Sequence, residues 1–88
     1  MVPDYADSIA AFAVPRDRAE ILRQRYRLSA AETALAIALA EGRPLREIAE
    51  ARRVSVNTLR VQLQSIFAKT SCHRQSELVG LVLRLPKG

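Results

Sequence analysis

Two apolar repeats of helical spacing lie almost end to end between Leu45 and Lys69. Leu45, Ile48 and Ala49 form the first, and Leu59, Leu63, Ile66 and Phe67 the second. Only Arg53 and Val54 separate them before Ser55, whose hydroxyl is suited to accept from an open backbone amide at a helix start. So short a link leaves no room for a strand or a domain boundary. It requires two consecutive helices packed through their apolar faces, with the small Ala49 where they cross. The spacing predicts helices over about 45–52 and about 55–69, the helix-turn-helix pattern.

The flanking segments are also helical in pattern. Ser29 and Glu32 form a capping box in which each side chain satisfies a backbone N–H, and Gly42 supplies a left-handed stop after a helix from about Ala30 to Glu41. Leu35, Ala38 and Leu39 recur on one face of it. Pro44 suits the edge of a helix start because it has no N–H to leave unpaired, and Glu47 complements the dipole there. A lead-in helix over 16–27, begun by the N-cap Asp17, turns Ala19, Ile21, Leu22 and Tyr26 inward and ends in Arg23, Arg25 and Arg27. A last helix from about Arg74 to Leu85 carries six large apolar residues, Leu78, Val79, Leu81, Val82, Leu83 and Leu85, and three of them suffice for a small core. Residues 1–15 read as a tail or as the remnant of a preceding domain, either a leftover strand or a short extra helix around Ile9–Val14. With no alternating run long enough for a sheet, the fold is expected to be all-α.

An 88-residue chain with 49 % apolar and 26 % charged residues supports one modest core. Cys72 is the sole cysteine, so the chain offers neither an internal disulfide nor a cysteine metal cluster, and Cys72 reads as a small hydrophobe near a helix end. No secretory signal or bilayer-length apolar run is present, which predicts a cytoplasmic protein. His73 has no Ser or Cys arrangement around it, there is no glycine-rich phosphate loop, and carboxylates are not paired at a recurring spacing. Enzymatic activity, metals and cofactors are therefore not expected.

The net charge of +5 is not evenly spread. Arg43, Arg46, Arg52, Arg53, Arg60, Lys69 and Arg74 face only Glu47 and Glu50 within one stretch, a basic segment suited to a polyanion. Stepping by 100° per residue along 55–69 places Asn57, Val61, Gln64 and Ala68 opposite the apolar side, with Arg60 on their flank. The major groove of B-DNA admits one helix and displays a different donor and acceptor pattern for each base pair. Arg60 suits the O6 and N7 of guanine, Gln64 an adenine or a bridging water, and Val61 a thymine methyl. Ser55, Asn57 and Thr58 occupy the first turn, where side chains and free amides together suit a phosphate, and Arg46 and Lys69 are candidate phosphate contacts on either side.

Over Leu28 to Leu85 these residues resemble the LuxR/GerE/NarL-type DNA-binding domain of bacterial transcription regulators. Leu28-Ser29 with Glu32 is similar to the family's L-T-x-x-E, Leu39-Ala40-Glu41-Gly42 to its A-x-G, and Glu47-Ile48-Ala49 to its E-I-A. Val54-Ser55 with Thr58-Leu59-Arg60 resembles V-S-x-x-T-V-K, and Ile66 with Lys69 resembles I-x-x-K-L. The resemblance implies a four-helix bundle over 28–88, preceded by an extra N-terminal helical segment. It implies base contacts from Arg60, Val61 and Gln64 and phosphate contacts at Thr58 and Lys69. It also implies a homodimer through the last helix on a roughly palindromic duplex, giving Val79, Val82 and Leu83 a partner surface, and either an upstream sensory or receiver domain in a longer parent chain or a stand-alone regulator. Gln62, Thr70 and Arg52-Arg53 depart from the pattern, where the family tends to have histidine, leucine, and leucine with glycine. Arg53 in a left-handed conformation would cost about 1 kcal/mol, and Arg52 would have to lay its stem along the core edge. Two other readings share features with this one. A sigma-factor promoter-binding region has similar scaffold and reading helices but ends soon after them, and a protein-interaction module of the same fold would be expected to have lost Arg60 and the basic stretch.

Overall fold

The computed structural model describes residues 17–87 and contains five helices, with no strand among the described residues. They are α1 (Arg18–Gln24), α2 (Ala30–Ala40), α3 (Leu45–Arg52), α4 (Val56–Thr70) and α5 (Gln75–Leu83). The expected N-terminal tail over 1–15 lies outside the described residues.

α2 is the hub, in contact with all four other helices. Its composition explains why: nearly every residue is apolar, so it has no good solvent face. Leu35, Ala38 and Leu39 are buried as the periodicity predicts, but so are Ala36 and Thr33 on other sides. Small alanines let neighbouring helices approach from several directions. α3 and α4 pack against each other and each also touches α2. Leu22, Leu35, Ile48, Leu59, Ile66 and Leu78 are at most 2 % exposed and meet in one core. Cys72 belongs to the same core as a free thiol.

The lead-in helix is shorter than expected. It ends at Gln24 because Arg27 turns left-handed (φ 60°) and the Leu28 amide donates back to the Leu22 carbonyl at 3.1 Å, which delivers Leu28 into the core. Asp17 caps it as predicted, through a 2.9 Å bond from the Glu20 amide. Leu22 shares the common core, so α1 is built into the domain rather than leading up to it. Arg18 strengthens that attachment: its guanidinium donates to the Leu83 and Leu85 carbonyls at 3.3 and 3.2 Å, capping the negative end of α5.

Three other helix ends close in one way. A residue of positive φ is followed by an amide that donates to the carbonyl five positions back: Arg43 to Ala38 beyond Gly42, Val54 to Ala49 beyond Arg53, and Cys72 to Phe67 beyond Ser71. Only one of the three is glycine. Arg53 (φ 58°, ψ 43°) adopts the left-handed geometry in which a Cβ is strained, while Arg52 is half-buried with a long 3.5 Å contact to the Ala31 carbonyl. Arg53→Gly should therefore raise stability by about 1 kcal/mol, a rise of roughly 4–8 °C in melting temperature, checked by thermal and urea unfolding.

Candidate nucleic-acid interface

The α3–turn–α4 unit is held from both ends of its turn. Arg53 closes α3, and Ser55 opens α4 by accepting from the Thr58 amide at 3.0 Å. The Ser55 and Thr58 hydroxyls also lie 3.0 Å apart, so the first turn of α4 presents a pre-ordered pair of exposed hydroxyls. Asn57 is exposed beside them.

α4 divides as its periodicity requires. Leu59 and Ile66 are fully buried and Leu63 nearly so, while Asn57, Arg60, Val61, Gln64 and Ala68 are all exposed. Val61 is 69 % exposed, the most accessible large apolar side chain among the described residues. The three candidate base-reading side chains thus lie together on one uncovered strip. Thr70 is buried and satisfies its hydroxyl by donating to the Ile66 carbonyl at 2.8 Å. Gln62 is half-buried and its Oε1 has no partner among the described residues.

The basic stretch is partly neutralised. Arg43 pairs with Glu47 at 3.1 Å in an exposed contact of small energetic consequence. Lys69 pairs with Glu32 at 2.8 Å, a partner that nothing in the local sequence announces. Arg46, Arg53, Arg60 and Arg74 are exposed and form no ion pair among the described residues. Arg46 and Arg60 therefore have the free guanidinium expected of them, whereas the Lys69 ammonium is already shared with a carboxylate.

Glu32 is the residue whose importance the sequence understates. Its predicted capping role is present in full, with the Ser29 amide donating to Oε1 at 2.8 Å and the Ser29 hydroxyl accepting from the Glu32 amide at 3.1 Å. The same carboxylate also accepts from the Ser65 hydroxyl at 2.6 Å and from Lys69. Burial by itself would raise its pKa. The hydrogen bonds from Lys69, Ser65 and the Ser29 amide, together with the charge of Lys69, outweigh that and hold it at about 2. A carboxyl with a lowered folded pKa stabilises above its unfolded value near 4.5 and loses that contribution as pH falls toward 2. Between pH 5.5 and 2.5 the parent should lose about 2.5 kcal/mol that a Glu32→Gln variant does not lose, measured by urea titrations at pH 5.5, 4 and 2.5.

The expected dimer surface is narrower than Val79, Val82 and Leu83. Val82 is fully buried with Leu78, because both turn toward α2 at i and i+4, and it has no surface to offer a partner. Val79 is half-buried against the core, and Leu83, 51 % exposed, is the large apolar side chain that α5 leaves in the open. Leu81 and Leu85 are half-buried against the core.

An open cleft of about 520 Å³ lies beside the end of α4, lined by Gln64, Phe67, Ala68, Ser71, Cys72 and His73. Cys72 directs its thiol toward the Thr70 carbonyl at 3.9 Å, and no His, Cys, Asp or Glu cluster of metal-binding size occurs among the described residues. No helix among those residues is long and apolar enough to cross a membrane. Compared with family models, curated proteins and solved structures, the chain finds no match.

Proposed function

We propose that this chain binds double-stranded DNA in a sequence-specific manner as a LuxR-type helix-turn-helix domain of a transcription regulator, with α4 entering the major groove. The observation that carries the reading is the division of α4: its apolar side is sealed in the core while Arg60, Val61 and Gln64 share an uncovered strip next to an ordered, hydroxyl-bearing helix start. A helix docked with its N-terminal turns in the groove brings those three side chains to base edges. Arg60 donates to guanine, Gln64 pairs with adenine, and Val61 packs on a thymine methyl. Ser55, Asn57 and Thr58, with the free amides of the first turn, bind one phosphate, and Arg46 binds another from α3.

Two copies joined through Val79 and Leu83 of α5 would present two reading helices to a palindromic site. Burying these residues removes the largest apolar side chain that α5 leaves exposed.

Selection of bound duplexes from a random pool tests the proposal. Enrichment of a two-fold repeated half-site containing a G·C pair, with affinity that falls steeply as salt rises, is the expected result. Recovery of no preferred sequence would overturn it.

A further inference from the structure

The core side of α4 is held by packing. Leu59, Leu63 and Ile66 stabilise it through burial, which is non-directional in itself and leaves small rotations of the helix about its axis opposed by close packing alone. Reading bases does not tolerate them. A roll of about 20° carries a side-chain tip roughly 2 Å around a helix of this diameter, more than the full width of the hydrogen-bond distance range.

Directional contacts to α4 from elsewhere in the fold are few among the described residues. Those on its flank converge on a single group, the carboxylate of Glu32. Oε2 accepts from Ser65 at 2.6 Å and Oε1 from Lys69 at 2.8 Å, one turn apart on α4, while Oε1 is itself anchored to the Ser29 amide at the start of α2. The Glu32 residue is only 7 % exposed, whereas the Lys69 side chain is 37 % exposed, so the carboxylate end of the tether is fixed in the fold and the ammonium end reaches solvent. Ser65 and Lys69 lie between the buried and exposed sides of α4, on the edge opposite Arg60, where a tether best resists rolling. Buried ionic groups contribute little net stability as a rule, and their best-attested use is to select one register among several packings of similar energy.

We propose that Glu32 is a specificity-determining positioning residue: by holding Ser65 and Lys69 it sets the roll of the reading helix and withholds the Lys69 ammonium from indiscriminate phosphate binding. The inference rests on the DNA-reading role given above for α4. It has a consequence that a purely structural role lacks. Releasing Lys69 adds a free cation beside the groove, so binding to any duplex strengthens while binding to the preferred one loses its advantage.

The test compares the 88-residue parent with Glu32→Gln and Ser65→Ala variants. Each is titrated against the tightest duplex recovered from the random pool and against a scrambled duplex of the same composition, over a range of salt. The parent should prefer the selected duplex. Glu32→Gln should reduce that preference about tenfold, bind the scrambled duplex as well or better, and steepen the salt dependence by about one unit of slope. Ser65→Ala, which leaves the ion pair in place, should lose a few-fold of preference with near-parental melting, and it decides the matter if Glu32→Gln does not fold. If the parent discriminates and folded Glu32→Gln and Ser65→Ala discriminate within twofold of it, or if both duplexes weaken equally, the positioning role is wrong. If the parent itself does not distinguish the two duplexes, it is the DNA-reading proposal that fails.

Discussion

Arg60→Ala should reduce discrimination between the selected and scrambled duplexes by about 5- to 150-fold, the factor that corresponds to one bidentate guanidinium–guanine contact. Its melting temperature should stay close to the parent's. The two effects separate because Arg60 is exposed and makes no ion pair among the described residues, so the folded domain has little to lose when the side chain is removed. Competition binding on both duplexes and a thermal melt of each protein would measure this. Parental discrimination in the variant would mean that Arg60 does not face the bases.

The neighbouring residue should behave in the opposite manner. Leu59 is fully buried on α4, which packs against α2 and α3, and Leu59→Ala leaves a cavity that close-packed surroundings fill only in part. The expected cost is about 2–5 kcal/mol, a large share of the roughly 5–15 kcal/mol that separates a small domain from its unfolded state. Melting should fall by on the order of 10 °C or more. DNA binding should be lost in parallel with the folded fraction, with sequence preference retained by the molecules that remain folded. Urea unfolding followed by circular dichroism gives the stability. A variant that melts with the parent would place Leu59 outside the core and remove the basis for calling the other side of α4 a reading face.

These two adjacent positions show how much of the candidate site is legible before any fold is known. A period of 3.6 residues assigns Leu59 inward and Arg60 outward without reference to the rest of the chain, and the burial pattern agrees. The bounds of α3, Leu45–Arg52, are those expected from Pro44 before it and the Arg53-Val54 turn after it. α5 is expected over Arg74 to Leu85 and forms over Gln75–Leu83, with Arg74 as its N-cap, an end-fraying difference of the usual size. The lead-in helix expected over 16–27 stops at Gln24, since a left-handed Arg27 gives no warning in a residue type that rarely adopts it.

The apolar surplus on α5 is a harder case. Six large residues on a short helix exceed what a small core can hold, and the pattern identifies the excess without saying which residues constitute it. Assigning Val82 to a partner surface misplaces the helix's rotation against α2. The structure seals Leu78 and Val82 and leaves Leu83 out.

What the order of amino acids determines alone is whatever is decided within about one helical turn. That covers the Ser29–Glu32 capping box, the Ser55 cap, the Gly42 stop and the two-sidedness of α4, each a contact between residues three or four apart or a property of one helix. Tertiary structure decided the partners that lie far along the chain. Glu32 meets Ser65 and Lys69 across 33 and 37 positions, and Arg18 meets the last carbonyls of α5 across 65 and 67. No local rule selects such partners, because a hydrogen bond or ion pair acts only over a few ångströms and those ångströms exist only once the apolar faces have packed.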